Sequence, residues 1–408
     1  MADSDVLDYE AAWPEQKGKR MAGYALHLLE RVRETDAWKI VPVSRALSSG
    51  NSSAQFKAAV VPLLIQTIQE SLVAFGCWGM AQAFWKNLSE CHPDVPKMVA
   101  HLYNDSISLE QFTNVLFAIF EEDTFKLSAI TQMATEVYTH LCVAFMNPSG
   151  TRSKPGTPVT IPESVESTLN DIMAEFAATE PWGKRRQQVL NKLVFLRDGG
   201  RCPLTLLTFK GFSIPYDSKA TLCHIIPNSI ASPDKLDPLK MILLFAGKDV
   251  AESVRAELNS LGNVVNFDTG ISVIFDDLMF GIEAKEENNE VQYYFRRAPG
   301  HSSPGTTAFQ IQPNDRITFG AGPFGEKLGR GPNPKLCNLH WAIVRVANMG
   351  GAAEIFREER DEQLGNSSAL LSTHYLDAQL DKFVMEGWKL YGTLKGWLTK
   401  SQVSLNML

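Results

Sequence analysis

The residue in this chain best suited to moving a proton is His224, in the run Ala220-Thr221-Leu222-Cys223-His224-Ile225-Ile226-Pro227. An imidazole titrates near neutrality, so it takes up or returns a proton at physiological pH. Cys223 stands beside it, but the run reads as a strand. Successive strand side chains point to opposite faces, which argues against a Cys–His dyad between these neighbours. A second chemical feature lies just upstream. Between Pro181 and Lys219 the chain places Lys184, Arg185, Arg186, Lys192, Arg197, Arg201, Lys210 and Lys219 against Asp198 and Asp217, a net of +6 inside an acidic protein. Such a cluster reads either as a solvated helix face or as a surface that neutralises phosphates.

His224 lies downstream of Leu196-Arg197-Asp198-Gly199-Gly200-Arg201-Cys202-Pro203. It lies upstream of Gly262-Asn263-Val264-Val265 and then Phe275-Asp276-Asp277-Leu278-Met279-Phe280. That order resembles the HNH nuclease family, in particular the HNH domains embedded in longer fungal proteins, over residues 182–297. The resemblance implies metal-assisted phosphodiester cleavage, with one divalent ion (Mg²⁺ or Mn²⁺) held by a short hairpin and a helix. It implies that His224 is the general base that activates water and that Asn263 orders the loop. The helix position where the family carries a metal-binding histidine is Ser272 here, and the residue before the base, often an aspartate ligand, is Cys223. A serine hydroxyl is a weak ligand, and a thiolate is a poor partner for a hard ion. Asp276 and Asp277 are then the substitute metal candidates, with Asp268 a third, although the aspartate at 276 mainly shapes the fold in the family. Arg185, Arg186, Arg197 and Arg201 would hold phosphate. Two functions follow. One is an HNH-type endonuclease acting on DNA. The other is a descendant of that fold turned into a fungal small-molecule enzyme of secondary metabolism, or into a protein that binds an apolar small molecule in a pocket among the helices.

Other motifs carry less. Gly320-Ala321-Gly322-Pro323-Phe324-Gly325 fits G-x-G-x-x-G, but Gly329, Gly331, Pro332 and Pro334 follow it where a dinucleotide site needs a helix. It reads as a turn-rich loop. Phe275-Asp276-Asp277-Leu278 and Asn104-Asp105-Ser106-Ile107-Ser108 partly resemble the aspartate-rich boxes of class I terpene cyclases. The first runs into Gly281 and the second lacks its closing glutamate. Phe75, Trp78, Phe84, Trp85, Phe112, Phe117 and Phe120 sit at helical spacings and read as core. His101, His140 and His340 lie on apolar stretches and read as core or boundary histidines.

These groups must be positioned by a mostly helical α+β protein with an embedded HNH-like ββα centre. Residues 1–146 read as a helical domain. Within it Ser108-Leu109-Glu110-Gln111 resembles a capping box, and Phe56–Phe75 and Ser128–Met146 read as apolar helices. Residues 147–162, with four prolines and two glycines, read as a linker. Residues 163–298 hold the HNH-like unit, with helices over Glu163–Ala178 and Trp182–Arg197, strands over Leu204–Phe212, Ala220–Ile226 and Val291–Arg296, and a helix over Val250–Leu258. Residues 299–335 form a Gly/Pro-rich loop, and 336–408 are helical again, over Leu336–Met349 and Leu370–Leu398.

The whole chain has 408 residues, a net charge of −7 and 44% hydrophobic residues, ordinary for a globular protein and acidic for a dedicated nucleic-acid binder. Its six cysteines are scattered, with no C-x-x-C pair, and read as reduced thiols of an intracellular protein. The acidic start Met1-Ala2-Asp3-Ser4-Asp5 does not read as a signal peptide. The apolar stretch Ala58–Trp78 is interrupted by Pro62, Gln66, Gln69 and Glu70 and reads as a core helix.

Overall fold

Amphipathic spacing builds the first layer. The computed structural model describes residues 7–9, 12–35, 51–122, 124–146, 166–180, 183–209, 219–231, 237–300 and 309–365. Helix α1 (Glu15–Thr35) buries Met21, Ala22, Ala25, Leu28, Leu29 and Val32, one stripe at 3–4-residue spacing. It packs on α2 (Asn51–Phe75) and α3 (Gly79–Ser89), followed by α4 (Val95–Tyr103) and α5 (Leu109–Ile119). Helix α5 opens on the expected capping box. The Ser108 hydroxyl accepts from the Gln111 amide at 3.1 Å, and the Gln111 side chain accepts from the Ser108 amide at 2.9 Å. The helix expected over Ser128–Met146 is divided into α6 (Ser128–Val137), one π turn over Tyr138–Val143, and α7 (Ala144–Met146).

Among the described residues one helical stretch, Phe56–Phe75, is long and apolar enough to cross a membrane. Half of it is buried, against α1, α10 and α12, as in a core helix. Helix α8 (Glu166–Ala178) and α9 (Lys184–Asp198) match the two helices expected ahead of the centre. The linker 147–162, the end of the Leu204–Phe212 stretch and the Leu370–Leu398 helices lie outside the described residues.

The centre is a β-ribbon followed by a helix. Strand β1 (Ala220–His224) pairs antiparallel with β2 (Val264–Asp268), placing Leu222 opposite Asn266 and His224 opposite Val264. Between them runs α10 (Asp237–Glu257), longer than expected and kinked at Gly247, where φ is +83°. Helix α11 (Thr269–Asp276) follows β2 directly, and its N-cap Asp268 accepts from the Gly270 amide at 2.8 Å. Helix α9 covers one face of the ribbon, with Leu190 and Val194 clustered with Leu222 and Val264. Phe267 on the other face meets Phe275 of α11 at 5.3 Å between ring centroids. The strand expected from Leu204 is reduced, within the described residues, to a single bridge between Arg201 and Thr208.

A second sheet has the order β3 (Phe280–Glu287), β4 (Glu290–Arg297), β5 (Arg316–Ile317), all antiparallel. The β3–β4 turn places Asn288 and Asn289 at φ +54° and +63°, the left-handed pair that a tight hairpin demands. Helix α12 (Pro334–Met349) runs along β3, and the Asn338 side chain bonds both the N–H and the C=O of Ala284, at 2.8 and 3.0 Å. The last described element is α13 (Ala352–Gly365). Because α12 touches both α2 and β3, one buried apolar cluster runs from Trp13 to Phe356.

Candidate functional site

The pleat of β1 sends neighbours in opposite directions. Cys223 faces α11, where its thiol contacts Ser272 and lies near Asp276 and Cys202. It is 5% exposed, and burial, followed by the Asp276 charge and Cys202, pushes the thiol well above its ordinary range. Cys223 is therefore a neutral thiol at any physiological pH. Ser272, equally buried, donates to the Thr269 carbonyl at 2.8 Å. Asp276 closes α11 and Asp277 is its C-cap. Consecutive helical positions diverge by about 100°, so the two carboxylates do not share a face. The Asp277 carbonyl accepts from Arg357 at 3.1 Å. Among the described residues no group of three or more His, Cys, Asp or Glu side chains is arranged to hold a metal. A buried neutral thiol and a hydroxyl already bonded to the backbone do not fit a hard divalent ion.

His224 points the other way, on the α9 side of the ribbon with Leu222, and keeps partial solvent exposure. Its Nε2 lies 3.2 Å from Nδ2 of Asn228. Burial lowers its pKa to about 4, so the ring is neutral at pH 7. Asn263 has no solvent exposure and is used in full. Its Oδ1 accepts from the Ile226 amide at 2.8 Å, and its Nδ2 donates to the carbonyls of Ile226 at 2.8 Å and Leu258 at 2.9 Å. One side chain thus fastens the turn after β1 to the end of α10.

The four arginines expected at phosphate do not form one surface. Arg197 corrects that expectation most clearly: it is 0% exposed and acts structurally. It makes two bonds to Asp198, at 2.9 and 2.7 Å, and donates to the carbonyls of Leu261 at 2.8 Å and Val264 at 2.9 Å. Arg186 stacks on Phe176 at 3.6 Å and bonds the carbonyls of Phe176 and Asn259 at 2.8 and 3.0 Å, closing the end of α8. Arg185 is exposed and pairs with Glu175 at 3.0 Å. Arg201 is exposed at the far end of α9, about 20 Å along the helix from Arg185. An open cleft of about 530 Å³ lies between α8 and α9, lined by Glu175, Thr179, Glu180, Gly183, Arg185 and Arg186, whose charges cancel.

The glycine motif proves to be a cap. Gly322 N–H donates to the Arg197 carbonyl at 2.8 Å, and Phe324 N–H to the Leu196 carbonyl at 2.9 Å. Gly320 N–H donates to Asp198 at 3.0 Å. A Cβ on Gly322 would meet the Leu196 oxygen at 2.5 Å, so this close approach requires glycine. The loop satisfies the last carbonyls of α9 from a distant part of the chain. The aromatic set Phe84, Trp85, Phe112 fills its own space in T-shaped contacts at 5.4 and 5.5 Å. His340 is buried, stacks on Phe275 at 4.2 Å, and is a core residue, as its apolar setting predicted.

Sequence reasoning missed Asn228 and Asp198. Asn228 sits four residues beyond His224 in a turn, and no periodicity marks it. Asp198 stands in the basic run and in the stretch Leu196–Pro203, but nothing local marks its pairing with Arg197 or its bond to the glycine loop. No family model, no curated protein and no solved structure matches this chain.

Proposed function

We propose that this chain is a binding protein derived from the HNH fold, in which the ββα unit no longer supports metal-dependent phosphodiester cleavage. The observation that carries this reading is the pair Cys223 and Ser272, side by side on the α11 face of the ribbon. They stand where the family resemblance expects metal ligands, and both are buried, uncharged and in mutual contact. The remaining family features, His224 at the strand end and Asn263 fastening the turn, are the ones that shape the loop. With a net charge of −7, and with Arg186 and Arg197 committed to protein carbonyls, an uncharged small molecule is a better partner than DNA. Calorimetric titration of the protein with Mn²⁺ tests this. No saturable uptake is expected from the wild type, and a Cys223→Asp/Ser272→His variant should gain a one-to-one site. Stoichiometric Mn²⁺ binding by the wild type would sink the proposal.

The second reading, an HNH endonuclease using Mg²⁺ or Mn²⁺, is favoured by one observation. The His224 imidazole is neutral at pH 7, the protonation state a general base requires. It requires an ion held by groups other than Cys223 and Ser272, with Asp276 and Asp277 as the remaining candidates.

A further inference from the structure

We propose that Asn228 is a positioning residue that locks His224 in the Nδ1–H tautomer, so that the ring offers a hydrogen-bond donor where a general base would offer a lone pair. A neutral imidazole has one N–H and one lone pair, on different nitrogens. Nε2 of His224 lies 3.2 Å from the amide nitrogen of Asn228, and an amide NH₂ only donates. Nε2 is therefore the acceptor, and the proton resides on Nδ1. The single lone pair of the neutral ring is occupied. Taking a proton from water at Nε2 would break this bond and turn the Asn228 N–H toward a cation.

The opposite amide orientation would reverse the tautomer, but it is the costlier one. Among the described residues, no donor reaches the buried Oδ1 of Asn228. Exchanging oxygen and nitrogen would put an NH₂, with two N–H groups, in the same partnerless position. At that buried position the present orientation leaves one acceptor unmet, whereas the reverse would place two N–H donors there.

The backbone holds this arrangement in place. Asn228 opens a short 3₁₀ turn, Asn228–Ala231, closed by the Ile230 amide on the Pro227 carbonyl at 3.2 Å. Two residues earlier, both backbone polar atoms of Ile226 are bound by the Asn263 side chain. A continuous chain thus runs from Asn263 through Ile226 and Asn228 to the His224 ring. A ring fixed this way recognises an uncharged oxygen acceptor, such as a ligand carbonyl, through Nδ1–H. The inference concerns the ring alone and does not rest on the state of Cys223 and Ser272. Its failure and that of the reading above appear in different experiments.

Long-range ¹H–¹⁵N correlation spectra of the full chain, labelled at histidine and recorded near pH 7.5, read the tautomer directly. The expected wild-type signature for His224 is a protonated Nδ1 and an unprotonated Nε2. In Asn228→Ala, and in Asn228→Leu, which keeps the volume, the ring should shift several-fold toward Nε2–H. A role limited to packing would not move this ratio. A wild-type ring in the Nε2–H form overturns the proposal, and so does a ratio unchanged in both variants. If Asn228→Ala does not fold, the wild-type spectrum and Asn228→Leu decide it.

Discussion

At the scale of single residues, chemistry in this protein depends on which side of a strand a side chain occupies. Cys223 and His224 are neighbours in sequence, yet one lies in a thiol-rich, apolar setting and the other beside an amide on the α9 side. Burial acts on both: it keeps the thiol protonated and the imidazole unprotonated. His340 follows the same rule, its pKa lowered to about 3 by burial. This predicts how stability depends on pH. Both histidines have folded pKa values below the ordinary 6.5, so the unfolded chain binds more protons than the folded one in between. Their contribution is complete above pH 6.5 and is lost as pH falls toward about 4 for His224 and about 3 for His340. Each contributes a slope of about 1.4 kcal/mol per pH unit within its window. His340, 3% exposed, is the cleaner reporter, because His224 keeps some contact with water. Urea unfolding between pH 7 and pH 4 should show falling stability, less steep in His340→Leu. An unchanged slope in that variant would contradict the assignment.

At the scale of elements, the ribbon is held by the end of α9. Arg197 and Asp198 tie together α9, the turn before β2, β2 itself and the glycine loop. Removing one partner of such a buried pair leaves a charge without compensation, a loss of about 3–5 kcal/mol. Asp198→Ala should lower unfolding stability by that amount, measured by denaturant titration. A change below about 1 kcal/mol, the level of a surface pair, would remove this pair from its structural role. The sequence made several of these elements legible, for identifiable reasons. The capping box at Ser108, the stripe on α1 and the ribbon strand before Pro227 all follow from local pattern. Charge composition does not reveal the burial of Arg197, because its guanidinium is enclosed only when carbonyls from residues 261 and 264 fold around it. The G-x-G-x-x-G loop reads as turn-rich, and it folds against the end of α9. Its actual work, capping a helix that ends 122 residues earlier, is a long-range contact that no local motif encodes. The start of α10 was missed because its first half lacks clear periodicity and Gly247 interrupts it.

At the scale of the whole molecule, the parts read from sequence as separate regions share one core. Helix α12 lies between α2 and β3, and Arg345 on it pairs with Glu70 on α2 at 2.5 Å while stacking over Trp341. The β1–β2 ribbon is thus enclosed: α9 on one face, α11 and the main core on the other, with the glycine loop at the end of α9. A nuclease of this design needs an open ribbon edge, a held ion and a continuous basic surface. Here Cys223 and Ser272 are buried, Arg186 and Arg197 serve the fold, and the net charge is −7. The most direct test is plasmid nicking in the presence of Mg²⁺ or Mn²⁺, comparing wild type with His224→Ala. Neither protein is expected to cleave above background with either ion. Cleavage by the wild type that disappears in His224→Ala would contradict the loss of metal-dependent cleavage and establish the ribbon as a working nuclease site.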